Sequence, residues 1–224
     1  MKLNSRVLFS ALLAVASIAI ASPLKAQQPP QQQQPPPLVP PGPATLTTVL
    51  DTQLRIAEFE IVATADAMPE DKYSFAPTNG EFKGVRTFAQ QVKHIANTNN
   101  RLFGPLLGQT PPAPVSQFEA ENGPDSIQTK AQIMQYLRDS FALGHKAVAT
   151  ITAENAFTPL PNAPNSFLRT PAAIAIFIPA HAMDHYGQMV EYLRMNGIVP
   201  PMSRQRPPAN PPAQTAPAQA PAAK

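Results

Sequence analysis

The 224-residue chain contains no cysteine and no tryptophan. Without cysteine there is no disulfide scaffold, thiolate zinc site, iron–sulfur cluster or cysteine nucleophile, so a soft-metal site must come from the four histidines. A G-x-S-x-G elbow, a P-loop and a dinucleotide-binding glycine run are also missing, which sets those hydrolase and nucleotide chemistries aside. No glutamate stands three residues before any histidine, as the paired Glu-x-x-His motifs of di-iron bundles require. No internal repeat of solenoid length is evident.

Positive charge is scarce where it would count. The formal balance is +3, yet residues 1–26 hold Lys2, Arg6 and Lys25 with no acid, and residues 44–199 hold 11 Lys/Arg against 14 Asp/Glu. The folded part is therefore mildly acidic. Nucleic-acid binding needs a basic patch on the folded part, so no nucleic-acid partner is expected.

Proline is abundant and unevenly placed, with 8 of 29 in residues 27–43, 8 in 200–224 and 12 in 44–199. Residues 1–26 read as a secretory signal peptide: a positive start, an apolar run from Val7 to Ala21, and an Ala-x-Ala-like site. Cleavage after Ala26 is preferred to cleavage after Ala21, which would leave Pro23 close behind the scissile bond. An uncleaved anchor is the alternative, but the run is short against the roughly 20 residues of a spanning helix. Stable membrane insertion after cleavage is not expected. Residues 27–43 form a Pro/Gln-rich linker and 201–224 a disordered Pro/Ala-rich tail, too poor in apolar residues to offset backbone ordering. Export with no cysteine fits a periplasmic or secreted protein. These segments flank one domain at 44–200.

Four helices are predicted inside it. The first covers about Thr47–Met68, with Thr48 and Asp51 resembling a capping box. The second starts at Thr87, where Gln90 completes a T-x-x-Q box, and Gly104-Pro105 should kink or fray its end. A loop is expected over 108–125. The third helix covers about Ser126–Glu154, with Ile127, Met134, Leu137, Phe141, Val148 and Ile151 inward. The fourth has Thr170 as N-cap, Pro171 in its first turn and a stop at Asn196-Gly197. Its stripe is Ile174, Phe177, Ile178, His181, His185, Gln188 and Tyr192, and Pro179 should kink it. The fold class is all-α, a four-helix bundle with two connections long enough to cross over.

His181 and His185, four residues apart, share one helix face and can chelate one metal ion. Alternatively they are core or surface histidines. His94 flanks the stripe of the second helix, and a bundle can bring it over the pair. Three neutral imidazoles without a fourth ligand nearby in sequence describe an open site. Asp184, Gln188, Asn97 and Gln91 lie close enough in sequence to fix a ligand's tautomer, or are solvated and capping residues. His145 reads as a fourth ligand or proton shuttle, or as a hydrogen-bonded core or boundary residue.

The stretches FAQQVKHIANTNNRLFGPLLG around His94 and HAMDHYGQMVEYLRMNGIVPP at 181–201 resemble the DinB/YfiT-like superfamily of four-helix bundles. The upstream phrase at 68–94 is similar to the start of that domain. The resemblance implies one divalent metal, zinc or nickel, held by one histidine of the second helix and two of the last, here His94, His181 and His185. It further implies a metal-dependent enzyme of thiol-transferase or hydrolase type acting on a small-molecule substrate. Helical bundles of this kind commonly pair, so a homodimer is expected. A non-catalytic periplasmic metal- or ligand-binding or structural bundle is the alternative. A third reading is a tethering module whose Pro/Gln tails bind a partner.

Overall fold

A computed structural model describes residues 44–110 and 116–204. The expected signal peptide at 1–26, the expected linker at 27–43, residues 111–115 of the expected loop and residues 205–224 of the expected tail at 201–224 lie outside the described residues. Among those described there are five α-helices and no strand: α1 Leu46–Ala67, α2 Phe88–Phe103, α3 Gln117–Asn122, α4 Lys130–Val148 and α5 Pro171–Met195. None is long and apolar enough to cross a membrane.

The helix starts are written in threonines. Thr87 caps α2, its hydroxyl accepting from the Gln90 amide while the Gln90 side chain accepts from the Thr87 amide, as predicted. Thr170 caps α5 with Pro171 in the first turn, and Gly197 at φ +73° follows the Asn196 cap. The α1 box lies one turn earlier than predicted. Thr45 is the N-cap and Thr48 the reciprocating residue, which leaves Asp51 free for other partners.

α4 is shorter than its apolar stripe. Its box is Thr129 with Gln132, and it ends at Val148 rather than Glu154, although Ile151 beyond it is still buried. Ile127, expected inside the helix, precedes it and is half-buried. Burial therefore continues where the helix does not. Gly104-Pro105 ends α2 by tightening it into a 3₁₀ turn at Gly104–Leu107. α5 continues through Pro179 to Met195.

α1 packs on α4 and α5, and α2 packs on the same two helices. Thr47 bonds to Ile151 and Lys130 to the Asp66 and Met68 carbonyls, so α1 and α4 are antiparallel. Asn97 meets Tyr136 and Asn99 meets Ser140, so α2 and α4 run parallel. Parallel neighbours require the connection between them to retrace the bundle's length. That return path carries α3.

The core joins Leu54 and Ile61 of α1, Ile95 and Phe103 of α2, Leu137 and Phe141 of α4, and Ile174 and Ile178 of α5, all at most 1% exposed. Phe103 approaches the bare Gly144 of α4. Order persists past residue 200, where a 3₁₀ turn at Pro201–Ser203 packs on α1 and Ser203 accepts from Arg194.

Candidate metal centre

α2 and α5 are antiparallel neighbours: Gln91 bonds to Gln188, and the Tyr192 hydroxyl donates to the Arg86 carbonyl. This register puts residue 94 of α2 opposite residues 181 and 185 of α5. The three imidazoles meet there. His181 Nε2 lies 3.1 Å from His94 Nε2 and 3.1 Å from His185 Nε2. All three ligand nitrogens fall within 4.8 Å of one another, a grouping that can hold a metal ion. His185 is buried at 5% exposure, while His94 and His181 are half-buried.

The tautomer of His94 follows from its other nitrogen. Nδ1 faces the main-chain carbonyl of Glu121, which can only accept, so Nδ1 carries the proton and Nε2 presents a lone pair to the cluster. His181 Nε2 has two nitrogen neighbours and at most one hydrogen to offer them. At most one of the two contacts can therefore be a hydrogen bond, and a cation among the Nε2 atoms would relieve the repulsion in the other. The Nδ1 atoms of His181 and His185 are buried without a hydrogen-bond partner. Metal–nitrogen bonds of roughly 2.0–2.1 Å separate ligand nitrogens by about 3.3 Å in a tetrahedron and about 3.0 Å at adjacent octahedral positions. The observed 3.1 Å lies between the two. The donor set fits a divalent transition metal.

Electrostatics keeps the rings neutral. Burial, reinforced by repulsion from the His94 imidazole, pushes His181 down to about 4. Burial and the charges of His181 and His94 push His185 down to about 3. Burial also lowers His94, with the Glu121 carbonyl opposing it. The Arg86 guanidinium works in the same downward direction on all three. At neutral pH every ring is in its ligand form.

α3 is a correction to the loop expected at 108–125, and it builds the site's outer wall. Ser116 caps it, accepting from the Glu119 amide, and Gly123 ends it at φ +75°. A side chain at Gly123 would meet the Lys93 carbonyl at 3.4 Å, so α3 lies close on α2. Asn97 donates to the Ala120 carbonyl at 2.9 Å and Arg101 does the same, pinning the segment that supplies the Glu121 carbonyl. Arg86 closes the other edge through Asn122 and the Glu121 carboxylate.

Asn97 thus holds α3, and reaches His94 only through it. Gln91 donates to Gln188 at 2.7 Å, and Gln188 donates to Asp184 at 3.3 Å, a polar chain beside the triad rather than bonded to its rings. Gln188, expected on the inward stripe, is exposed, as is Asp184. His145 is neither a fourth ligand nor near the cluster. Its Nδ1 bonds to Asp51 at 2.5 Å and its Nε2 to Glu58 at 3.0 Å, so both ring nitrogens are committed to clamping α4 onto α1.

The Glu121 carbonyl had no sequence signature, because a backbone group carries none. The aromatic neighbour of His181 had a partial one: Phe177, four residues earlier, is stacked on its ring at 5.4 Å and 26°.

The family profile of the DinB superfamily matches residues 53–189. The chain belongs to the DinB superfamily. The match covers all of α2 and α5 as far as residue 189, and so includes all three histidines, and the all-helical architecture agrees with it. No curated protein matches the sequence.

Proposed function

We propose that this DinB-superfamily protein binds one divalent transition metal, zinc or nickel, through His94, His181 and His185 and uses it in catalysis of the thiol-transfer or hydrolysis type. Convergence of three Nε2 atoms from two helices, at 3.1 Å spacing and with no acid among them, is the observation that supports it. When bound, such an ion supplies Lewis acidity, favouring the deprotonated form of a water or thiol brought to it and polarising a carbonyl. The protein's own part is to keep the three rings unprotonated, orient His94 through the Glu121 carbonyl, and leave the half-buried side of His94 and His181 accessible to a small substrate. Residues 1–26 direct the chain to the periplasm or the exterior, and two copies associate as a homodimer.

Elemental analysis of the full chain purified in metal-supplemented medium tests the core of this reading. About one ion per chain is expected, lost on alanine substitution of any of the three histidines. Less than about 0.2 ion per chain overturns it, since sites of this kind bind late first-row metals tightly.

A further inference from the structure

The two sides of the triad differ in chemistry. Between and beyond the two α5 histidines lie Asp184 and Gln188, linked to Gln91 across on α2. Toward the N-terminus of α5, residues 170–183 carry no charge at all. There Phe177 stacks on His181 at 5.4 Å, and Phe167 extends the aromatic surface outward with its ring 6.3 Å from that of Phe177 at 56°. Phe167 is 66% exposed. The surface thus runs unbroken from solvent to a ring of the cluster.

Phe167 is presented by a braced turn. The Asn165 side-chain oxygen accepts from the amides of both Phe167 and Leu168, at 3.1 and 2.8 Å. The Leu168 side chain is buried in the core, and the ends of the loop are tied by Leu160 to Arg169 and Ala172 to Ala156. With Leu168 anchored inward, its neighbour is held outward. An exposed phenylalanine fixed this way leaves apolar area in water, and its contact with Phe177, itself stacked on His181, gives that area a use.

We propose that Phe177 and Phe167 are the specificity-determining wall of this site, and that it takes a small molecule carrying an aromatic or flat apolar arm beside its reacting group. Offset and tilted ring geometries of the kind seen between Phe167 and Phe177 are those in which a third ring adds favourably. The polar side of the triad then receives the more hydrophilic end of the same molecule. The proposal rests on the reading of the triad as a metal-dependent site.

The test compares benzohydroxamate with acetohydroxamate, which share a metal-binding head and differ as phenyl against methyl. Calorimetry on the zinc-loaded full chain should show benzohydroxamate binding at least tenfold more tightly. In Phe167→Ala, whose exposure makes misfolding no concern, that ratio should fall below about threefold with acetohydroxamate affinity unchanged. Equal affinities in the parent chain, or an undiminished ratio in Phe167→Ala, overturn the proposal. A metal-free arm separates it from the reading beneath it. Benzyl alcohol, but not ethanol, should shift the Phe167 and Phe177 ring resonances saturably. If the chain takes up no zinc, the metal reading has failed and this titration decides alone: saturable shifts keep the wall, and their absence removes it. If the chain takes up zinc and neither hydroxamate binds, the proposal is overturned.

Discussion

On the proposed reading protons and a metal ion compete for the same three nitrogens, so the depressed pKa values set how metal affinity responds to acid. A free imidazole with the ordinary value of 6.5 is about 90% protonated at pH 5.5, a roughly tenfold loss of affinity per ligand and about a thousandfold loss for three. In this protein His181 and His185 lie at about 4 and about 3 and stay unprotonated there. Only His94, also lowered, contributes, and by less than about tenfold. Zinc affinity measured by competition with a chromophoric chelator should therefore fall by less than about tenfold between pH 7.5 and 5.5. A fall of a hundredfold or more would refute the claim that burial and mutual repulsion hold these rings neutral. The metal-free fold should show the matching trend. Folded rings refuse protons that unfolded ones accept below 6.5, so stability declines as the pH falls from there toward 4.

Gly144→Ala should destabilise the bundle. The added methyl would lie 2.8 Å from Phe103 and 3.0 Å from Leu54, and overpacking of about 1–3 kcal/mol exceeds the ~1 kcal/mol helix-propensity gain; a raised melting temperature would contradict this. His145→Gln should cost most at mildly acidic pH. Burial disfavours the His145 cation, but bonds to Glu58 and Asp51 outweigh it and raise the pKa, so its stabilisation is complete below about 6.5 and lost as the pH climbs through the folded value. Urea midpoints of the two proteins should accordingly converge from pH 6 to pH 9, and a constant gap would count against the clamp. Asn97→Ala should loosen α3, lowering zinc affinity on the order of tenfold and speeding amide exchange over 117–123; unchanged values of both would show that α3 is held by other contacts.

The four long helices were readable because their apolar residues recur at helical spacing and their ends carry strong signals, as at Thr87–Gln90 and Thr170-Pro171. The errors have physical sources. Thr45 and Thr48 are three residues apart, so either one can begin a box, and only the accepted hydrogen bonds decide. Ile127 and Ile151 suggested a longer α4 because a chain entering or leaving a bundle keeps burying apolar side chains after its helix has stopped. α3 has 6 residues, too few for periodicity to register. For the site, the spacing of His181 and His185 was legible, and the antiparallel register of α2 and α5 brings His94 to them. The partners of His145 were not, since Asp51 and Glu58 lie two turns apart on another helix and only packing reveals that one ring spans them.

The bond from His94 to the Glu121 carbonyl gives the centre an unusual form of robustness. A carboxylate partner can be erased by one codon change, whereas a main-chain oxygen survives every side-chain replacement at its own position. What moves it is a change in the path of the chain: an inserted or deleted residue between 116 and 123, or a proline that breaks α3. Drift should therefore be permissive toward side-chain identity at position 121 and strict toward length near α3, and relatives with a different length there would orient the His94 counterpart differently while keeping all three histidines.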